Sequence, residues 1–144
     1  MKLKDTTQSQ IILVEDNPDH LELVLQAFRR TLPGRRIRYF CSGQEVLQFI
    51  REQTSTALLQ EPEIELVILD LDLPDIDGHV VLEHLKQNRL FRHIPVVILS
   101  NVDSQGDIDR ALAYGAEDYI IKPFAFKDLS LTIQKIVNQF CCCL

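Results

Sequence analysis

The 144-residue sequence predicts an α/β fold, a doubly wound (βα)5 parallel sheet of five strands with helices on both faces. Five short runs rich in Val, Ile and Leu alternate with segments of helical periodicity. Most of these runs are apolar throughout, as strands buried on both faces require. The length suits a single domain of about 100–200 residues. The contents of 46% hydrophobic and 25% charged residues are typical of a globular chain.

The elements follow one another regularly along the chain. The five predicted strands cover residues 11–14, 37–40, 66–69, 96–99 and 119–121. Signals for helix starts and ends lie between them. These signals are Asn17-Pro18, the capping box Ser42-Gly43-Gln44-Glu45, Asp77-Gly78, Ser104, Gly115 as a helix end, and helical apolar spacing from Phe126 to Phe140. The segment 52–65 either extends the second helix or forms a surface loop.

Composition and charge exclude several classes of protein. A net charge of -6 argues against nucleic acid as a partner, because phosphate binding needs a basic surface. No apolar run approaches the roughly 20 residues of a membrane span, and the polar first ten residues do not resemble a signal peptide. We therefore expect a cytoplasmic protein with an N-terminal tail at 1–9, a folded domain at 10–140 and a Cys-rich tail at 141–144.

The four cysteines fall into two groups. Cys41 lies in an apolar run and is expected to be a small buried side chain. Cys141, Cys142 and Cys143 crowd the C-terminus, where we expect an exposed, oxidation-prone tail in preference to a prenylation signal.

Polar side chains gather where the predicted strands end. In an open α/β sheet, ligands bind outside the carboxyl ends of the strands. The residues expected at this edge are Glu15 and Asp16 after the first strand, Asp70 and Asp72 after the third, Ser100 after the fourth, and Lys122 after the fifth. Asp75 and Asp77, beside Gly78, are interpreted as turn-forming residues.

This set of side chains suits phosphoryl transfer. Clustered carboxylates repel one another unless a cation lies between them, and an all-oxygen ligand set favours Mg²⁺ over zinc. A hydroxyl and an ammonium can hold phosphoryl oxygens, and a carboxylate can act as the nucleophile. Asp70 is the natural candidate, since it directly follows a buried strand. The isolated glycines provide no phosphate-binding loop, so the phosphoryl group is expected to come from a donor.

These residues resemble the receiver domain of two-component response regulators over about residues 10–140. The matching motifs are ILVEDN at 12–17, LDLDLPDIDG at 69–78, PVVILS at 95–100 and YIIKPF at 119–124. The resemblance implies a flavodoxin-like single domain. It also implies a stand-alone regulator of the chemotaxis-regulator type, since few residues remain for an output domain. The long segment before the third strand and residues 86–95 look similar to the small phytochrome-associated regulators.

The resemblance assigns a role to each residue at the edge. Asp70 would accept a phosphoryl group from a phosphohistidine. Mg²⁺ would be bound by Asp16, Asp70 and the backbone carbonyl of Asp72, with Glu15 acting through water. Ser100 and Lys122 would contact phosphoryl oxygens.

Two further assignments concern the switch between states. Tyr119 corresponds to the family's switch aromatic, which turns inward as Ser100 moves toward the phosphate. The Lys122-Pro123 bond is expected to be cis. Ser100 replaces a more frequent Thr and keeps the hydroxyl. Asn101 stands where a small residue is common, which bears on the lifetime of the phosphoryl group.

The resemblance also implies partners and leaves alternatives open. The donor would be a sensor histidine kinase or phosphotransfer protein, with a bacteriophytochrome as one candidate, and the target a downstream protein effector. Tyr114, Phe124 and Phe126 either form a homodimer or effector surface or belong to the core. The alternative functions are a degenerate receiver that only binds partners, and an aspartyl-phosphate phosphatase of the haloacid dehalogenase type.

Overall fold

The computed structural model describes residues 9–56 and 63–141, and these form one parallel sheet with five helices. The strands are β1 (Gln10–Val14), β2 (Arg36–Phe40), β3 (Ile64–Leu69), β4 (Val96–Ser100) and β5 (Asp118–Ile121). The helices are α1 (Pro18–Thr31), α2 (Gly43–Thr56), α3 (Gly78–Gln87), α4 (Gln105–Ala113) and α5 (Phe126–Phe140). The predicted (βα)5 order is confirmed. α2 extends to Thr56, and the possible extension through Leu58 and Leu59 lies outside the described residues.

The strand order β2-β1-β3-β4-β5 places β3 at the centre of the sheet. Val14 of β1 is paired with Leu69 of β3, and Leu69 is in turn paired with Ile98 of β4. β1 and β3 therefore end at the same level, and β4 continues two residues further, to Ser100. The side chains that follow them must meet at one edge.

Alternate strand residues build two cores, one on each face of the sheet. Ile12 and Val14 pack with α2, α3 and α4, whereas Ile11 and Leu13 pack with α1 and α5. This two-sided burial explains why the strands are apolar throughout. No helix among residues 9–56 and 63–141 is both long and apolar enough to cross a membrane.

The helix starts predicted at Asn17, Asp77 and Ser104 are confirmed by side-chain caps. Asn17 Oδ1 accepts from the backbone N–H groups of Asp19 and His20, at 2.9 and 3.2 Å. Asp77 and Ser104 cap α3 and α4 in the same way. Gly115 has a φ of 110°, which favours glycine after a helix end.

Two expectations about cysteines are wrong. Cys41 is exposed, because β2 lies at the edge of the sheet and Cys41 follows its end. Cys141 is buried at the end of α5, against the core on the α1 side. An exposed tail is therefore not found at this position, and Cys142 and Cys143 lie outside the described residues.

Candidate functional site

The predicted site residues meet at the carboxyl edge of the sheet. Asp70 follows the central strand β3 and is only 4% exposed, while Glu15 and Ser100 flank it at the ends of β1 and β4 and are also buried. Asp16 is exposed beside them. The site therefore combines a buried acceptor candidate with a solvent-facing carboxylate.

Lys122 places its ammonium group between two carboxylates. The Nζ atom donates to Asp70 Oδ2 at 2.8 Å and also to Glu15 Oε1, and it lies 3.2 Å from His20 Nδ1. The backbone N–H of Lys122 donates to the carbonyl of Ser100 at 3.0 Å, which fixes the residue beside β4. A lysine ammonium has three donors, so these three neighbours can use all of them. The ammonium provides the positive charge that clustered carboxylates require.

The pKa values of the two buried carboxyl groups shift in opposite directions. Burial, together with the neighbouring Asp70, raises the pKa of Glu15 to about 8. Burial also acts to raise the pKa of Asp70, but hydrogen bonding with Glu15 and Lys122 outweighs it and holds this pKa below its usual value. The same two carboxylates overcome the effect of burial on Lys122 and raise its pKa. At neutral pH, Asp70 is the ionised member of the pair and Glu15 is largely protonated.

The acidic side of the site suits a hard divalent cation. One oxygen from each of Glu15, Asp16 and Asp70 lies within 4.8 Å of the others. The buried Oε2 of Glu15 accepts no hydrogen bond from the residues that the structure describes. Oxygen-only donors favour Mg²⁺, which keeps several waters and uses one or two carboxylates. The residues present therefore fit the Mg²⁺ expected from the sequence.

The chain after Asp70 is held close to it. The backbone N–H of Asp72 donates to Asp70 Oδ1 at 3.0 Å, and the N–H of Gly78 donates to the carbonyl of Leu71 at 3.1 Å. A Cβ atom on Gly78 would lie 2.4 Å from Leu71 Cα. Glycine is needed here because the start of α3 packs directly on the backbone that follows Asp70.

Ser100 and Tyr119 both bind the backbone of Val102. Ser100 Oγ accepts from the N–H of Val102 at 3.2 Å, and the Tyr119 hydroxyl donates to its carbonyl. Burial raises the pKa of Tyr119 to about 12, with the nearby Asp107 adding to the effect. The two predicted switch residues are thus joined through one residue of the loop after β4.

One predicted feature of the site is wrong. No peptide bond is cis among the described residues, so Lys122-Pro123 is trans. The trans form is intrinsically favoured by about 0.5–1 kcal/mol for a bond to proline. In this trans form, the Lys122 ammonium donates to Asp70 Oδ2 at 2.8 Å.

Two residues at or near the site were not identified from the sequence. His20 reaches Lys122 and Glu15 from the first turn of α1. Asp75 was interpreted as a turn residue, yet its carboxylate binds the start of α2. The N-cap at Asn17 was a usable signal for His20, because it starts α1 only a few residues after β1 ends and so keeps the first turn near the strand end.

The three aromatic residues near β5 divide between surface and core. Phe124 is fully exposed, whereas Tyr114 and Phe126 pack partly buried against the two cores. Phe124 borders a cavity of about 110 Å³ that is also lined by His20 and Lys122. An apolar recess therefore opens beside the site.

Comparison with known proteins agrees with this geometry. The family model described as the response regulator receiver domain matches residues 11–134. The probable methanogenesis regulatory protein FilR2 of Methanothrix harundinacea is 38% identical over 128 residues, covering 88% of this chain and 79% of that protein. The two-component response regulator ARR8 of Arabidopsis thaliana is 40% identical over 140 residues, covering 90% of this chain but only 61% of that protein.

Solved structures show the same fold. The phosphorylated cyanobacterial phytochrome response regulator RcpA superposes with a TM-score of 0.80 at 28% identity, covering 91% of this chain and 92% of that one. The Mn²⁺-bound response regulator Rcp1 gives a TM-score of 0.77 at 28% identity, covering 90% and 91%. Receiver domains are phosphoacceptor signalling modules. With a match over most of its length, this chain belongs to the response regulator receiver domain family.

Proposed function

We propose that the chain is a response regulator that accepts a phosphoryl group on Asp70 from a phosphohistidine in a Mg²⁺-dependent phosphorelay. The observation that carries this proposal is the buried Asp70 carboxylate, which is ionised and hydrogen-bonded to the Lys122 ammonium at 2.8 Å. An ionised carboxylate is the nucleophile that the reaction needs, and a fixed ammonium can stabilise the charge of the transferred group.

The transfer step follows from this arrangement. An ionised oxygen of Asp70 attacks phosphorus, and a new P–O bond forms. The P–N bond to the donor imidazole breaks, its electron pair stays on nitrogen, and that nitrogen takes up a proton. Lys122 and the Ser100 hydroxyl are proposed to hold oxygens of the transferred group. The domain in this view promotes only its own phosphorylation and dephosphorylation.

The Mg²⁺ would be held by Asp16, Asp70 and the backbone carbonyl of Asp72, with Glu15 acting through water. When bound, this ion neutralises the negative charge that a phosphoryl group brings to this acidic site. The support is the close approach of the three carboxylates and the buried Oε2 atom of Glu15. The raised pKa of Glu15 keeps the site less negative until a cation binds.

The output is proposed to follow from the loop after β4. A new charge on Asp70 would attract the Ser100 hydroxyl, and Ser100 would then release the N–H of Val102. Because Tyr119 binds the carbonyl of the same residue, its side chain would repack as the loop moves. The neighbouring surface includes the exposed Leu112 and Ile121, where an effector or a second copy could dock.

The phosphodonor is proposed to approach over the recess beside Lys122. Phe124 is exposed there and offers an apolar contact next to the reacting group. The likeness to RcpA, a phytochrome response regulator, favours a sensor kinase of the bacteriophytochrome type over other histidine kinases. The cytoplasmic location and the absence of a nucleic-acid partner stay predictions.

The phosphatase alternative needs a further acidic pair near the lysine. The next acidic residues after Lys122 start at Asp128, which is exposed in the first turn of α5. Among the described residues, the carboxylates that approach one another within 4.8 Å at the site are those of Glu15, Asp16 and Asp70. The described residues at the site therefore include the groups that the receiver mechanism needs. They do not include the acidic pair near the lysine that the phosphatase mechanism needs.

The proposal is tested by intact-mass spectrometry after incubation with acetyl phosphate, with and without Mg²⁺. We expect one phosphoryl adduct that needs both Mg²⁺ and Asp70 and is lost in Asp70→Asn. Asp103→Asn is the matched control, because it removes an exposed carboxylate outside the site. It should be phosphorylated like the wild type.

Two outcomes would contradict the proposal. An adduct that persists in Asp70→Asn would assign the acceptor role to another residue. No adduct, together with an NMR spectrum unchanged by beryllofluoride and Mg²⁺, would identify a domain that only binds partners.

A further inference from the structure

The loop that follows the acceptor is attached to a second helix. We call residues 71–77, between β3 and α3, the acceptor loop. It contains Asp72, whose carbonyl is assigned to the metal in the proposed function. Near its start, the N–H of Asp72 donates to Asp70 and the N–H of Leu73 donates to the carbonyl of Leu71 at 3.1 Å. These bonds hold the first residues of the loop.

Asp75 holds the second half of the loop. Its Oδ1 atom accepts from the N–H of Gly43 and its Oδ2 atom from the N–H of Gln44, both at 2.9 Å. Gly43 and Gln44 begin α2, and they are 32 and 31 residues away from Asp75 in the sequence. The contact is therefore tertiary. It satisfies two of the backbone donors that the start of a helix leaves free.

The charge of Asp75 suits this place. The start of a helix carries a partial positive charge, which favours a carboxylate. Although burial acts to raise the pKa of Asp75, the two backbone hydrogen bonds lower it below its usual value. Asp75 is therefore ionised at neutral pH, and it binds α2 in its charged form.

The packing around this contact leaves little room for movement. A Cβ atom on Gly43 would lie only 2.8 Å from the Cβ atom of Ile76. The start of α2 thus lies directly on the acceptor loop, next to the residue that binds it. A shift of the loop would have to break both hydrogen bonds and this contact.

We propose that Asp75 is a positioning residue for the metal site. It holds the acceptor loop against α2 and so keeps the Asp72 carbonyl in place for Mg²⁺, without itself contacting the ion. This inference rests on the proposed function, because it assumes that the site binds Mg²⁺. Residues that orient metal ligands in this way typically change affinity by roughly 10–100-fold when they are removed.

The test is Mg²⁺ binding to the full, unphosphorylated chain, measured by isothermal titration calorimetry. Asp75→Ala should weaken binding by about tenfold, the lower end of that range. Asp75→Asn keeps one acceptor oxygen and should give a smaller loss. Circular dichroism and the Tm of each variant establish that it folds.

Two controls separate positioning from other effects. Ser42 Oγ accepts from the N–H of Glu45 at 3.2 Å, so Ser42→Ala removes a different cap from the same end of α2. It should lower the Tm and leave Mg²⁺ affinity unchanged. Asp19→Asn removes a negative charge from the exposed first turn of α1 and should also leave the affinity close to that of the wild type.

The outcomes are distinct. A selective loss of affinity in the Asp75 variants supports the inference. Wild-type affinity in Asp75→Ala, or an equal loss in Ser42→Ala, would overturn it and reduce Asp75 to a helix cap. A wild-type chain that binds no Mg²⁺ would instead overturn the proposed function, together with the inference that depends on it.

Discussion

The loops on the two sides of Asp70 are held in different ways. The acceptor loop is attached by its own backbone, by the Asp75 carboxylate and by the close packing of Gly78. The loop after β4, residues 101–104, which we call the switch loop, is bound at Val102 by the hydroxyls of Ser100 and Tyr119. A hydroxyl can rotate to a new partner, whereas packed backbone cannot. The difference supports the proposal that binding chemistry is preorganised on one side and that conformational change begins on the other.

The free energy of unfolding should depend strongly on pH because of Glu15 on the acidic side of the site, and this is the largest effect that we expect. Glu15 in the folded protein holds its proton up to about pH 8, whereas the usual pKa of a glutamate is 4.5. Between these values the folded state binds a proton that the unfolded state has lost. The free energy of unfolding should therefore fall as pH rises through this window. The pKa of Asp70 is lowered and that of Lys122 is raised, so both values move away from this window and both groups stay charged within it.

Glu15→Gln isolates this contribution. The variant keeps a neutral side chain of the same shape, so its loss of stability from about pH 5 to about pH 9 should be smaller than that of the wild type. The expected difference is on the order of 4 kcal/mol, because the range from about pH 5 to about pH 9 covers most of the gap between 4.5 and about 8, and one unit of pKa corresponds to about 1.4 kcal/mol. Urea unfolding followed by circular dichroism in Mg²⁺-free buffer measures it. Parallel pH profiles for the two proteins would show that Glu15 titrates normally.

A pair of glycine substitutions compares the packing of the two loops directly. Gly78→Ala places a methyl group 2.4 Å from Leu71 Cα and 2.8 Å from the Asp70 carbonyl oxygen, both parts of the backbone. We expect a loss of about 2 kcal/mol in the free energy of unfolding, because overpacking a tight contact typically costs about 1–3 kcal/mol.

Gly106→Ala is the matched change beside the switch loop. A Cβ atom there would meet nothing within 4 Å, so this variant should gain up to about 1 kcal/mol from its higher helix propensity. Urea unfolding of both variants gives the comparison. Similar changes in the two would mean that the acceptor loop is not packed more tightly than the switch loop.

These contrasts also show what the sequence can predict. Apolar runs and local caps located all five strands and the starts of the helices, since both signals are carried by neighbouring residues. The rule that ligands bind outside the carboxyl ends of the strands predicted one site edge, and the structure places there Glu15, Asp70, Ser100 and Lys122. Each of these predictions needs only a periodicity or a position at the end of a strand.

Long-range contacts are the part that the sequence could not supply. Asp75 looked like a turn residue because its partners, Gly43 and Gln44, are more than 30 residues away. The apolar run around Cys41 predicts a buried side chain. Such a run does not reveal that β2 lies at the edge of the sheet, where Cys41 is exposed. Such features depend on how distant elements pack, which local patterns do not encode.

The smallest expected effect concerns the switch loop itself. Tyr119→Phe removes the hydroxyl that binds the Val102 carbonyl and keeps the ring, so stability should fall by about 1 kcal/mol, the usual net contribution of one hydrogen bond. Phosphorylation of Asp70 should continue at a rate close to that of the wild type, because Tyr119 contacts the loop and not the acceptor. The larger change Tyr119→Ala should likewise leave phosphorylation intact while it weakens discrimination between partners.

Two measurements on the same protein samples check this separation. Intact-mass spectrometry follows the adduct formed with acetyl phosphate, and ¹H–¹⁵N NMR spectra with and without beryllofluoride follow the backbone amides of the switch loop and of β5. In Tyr119→Phe, the Val102 amide should still shift as Ser100 releases it, whereas the amides of β5 should shift less than in the wild type, since β5 has lost the bond that couples it to the loop. A loss of phosphorylation equal to the loss of this shift would show that the two sides of the site act as one unit, and the contrast between preorganised chemistry and a separate switch would then fail.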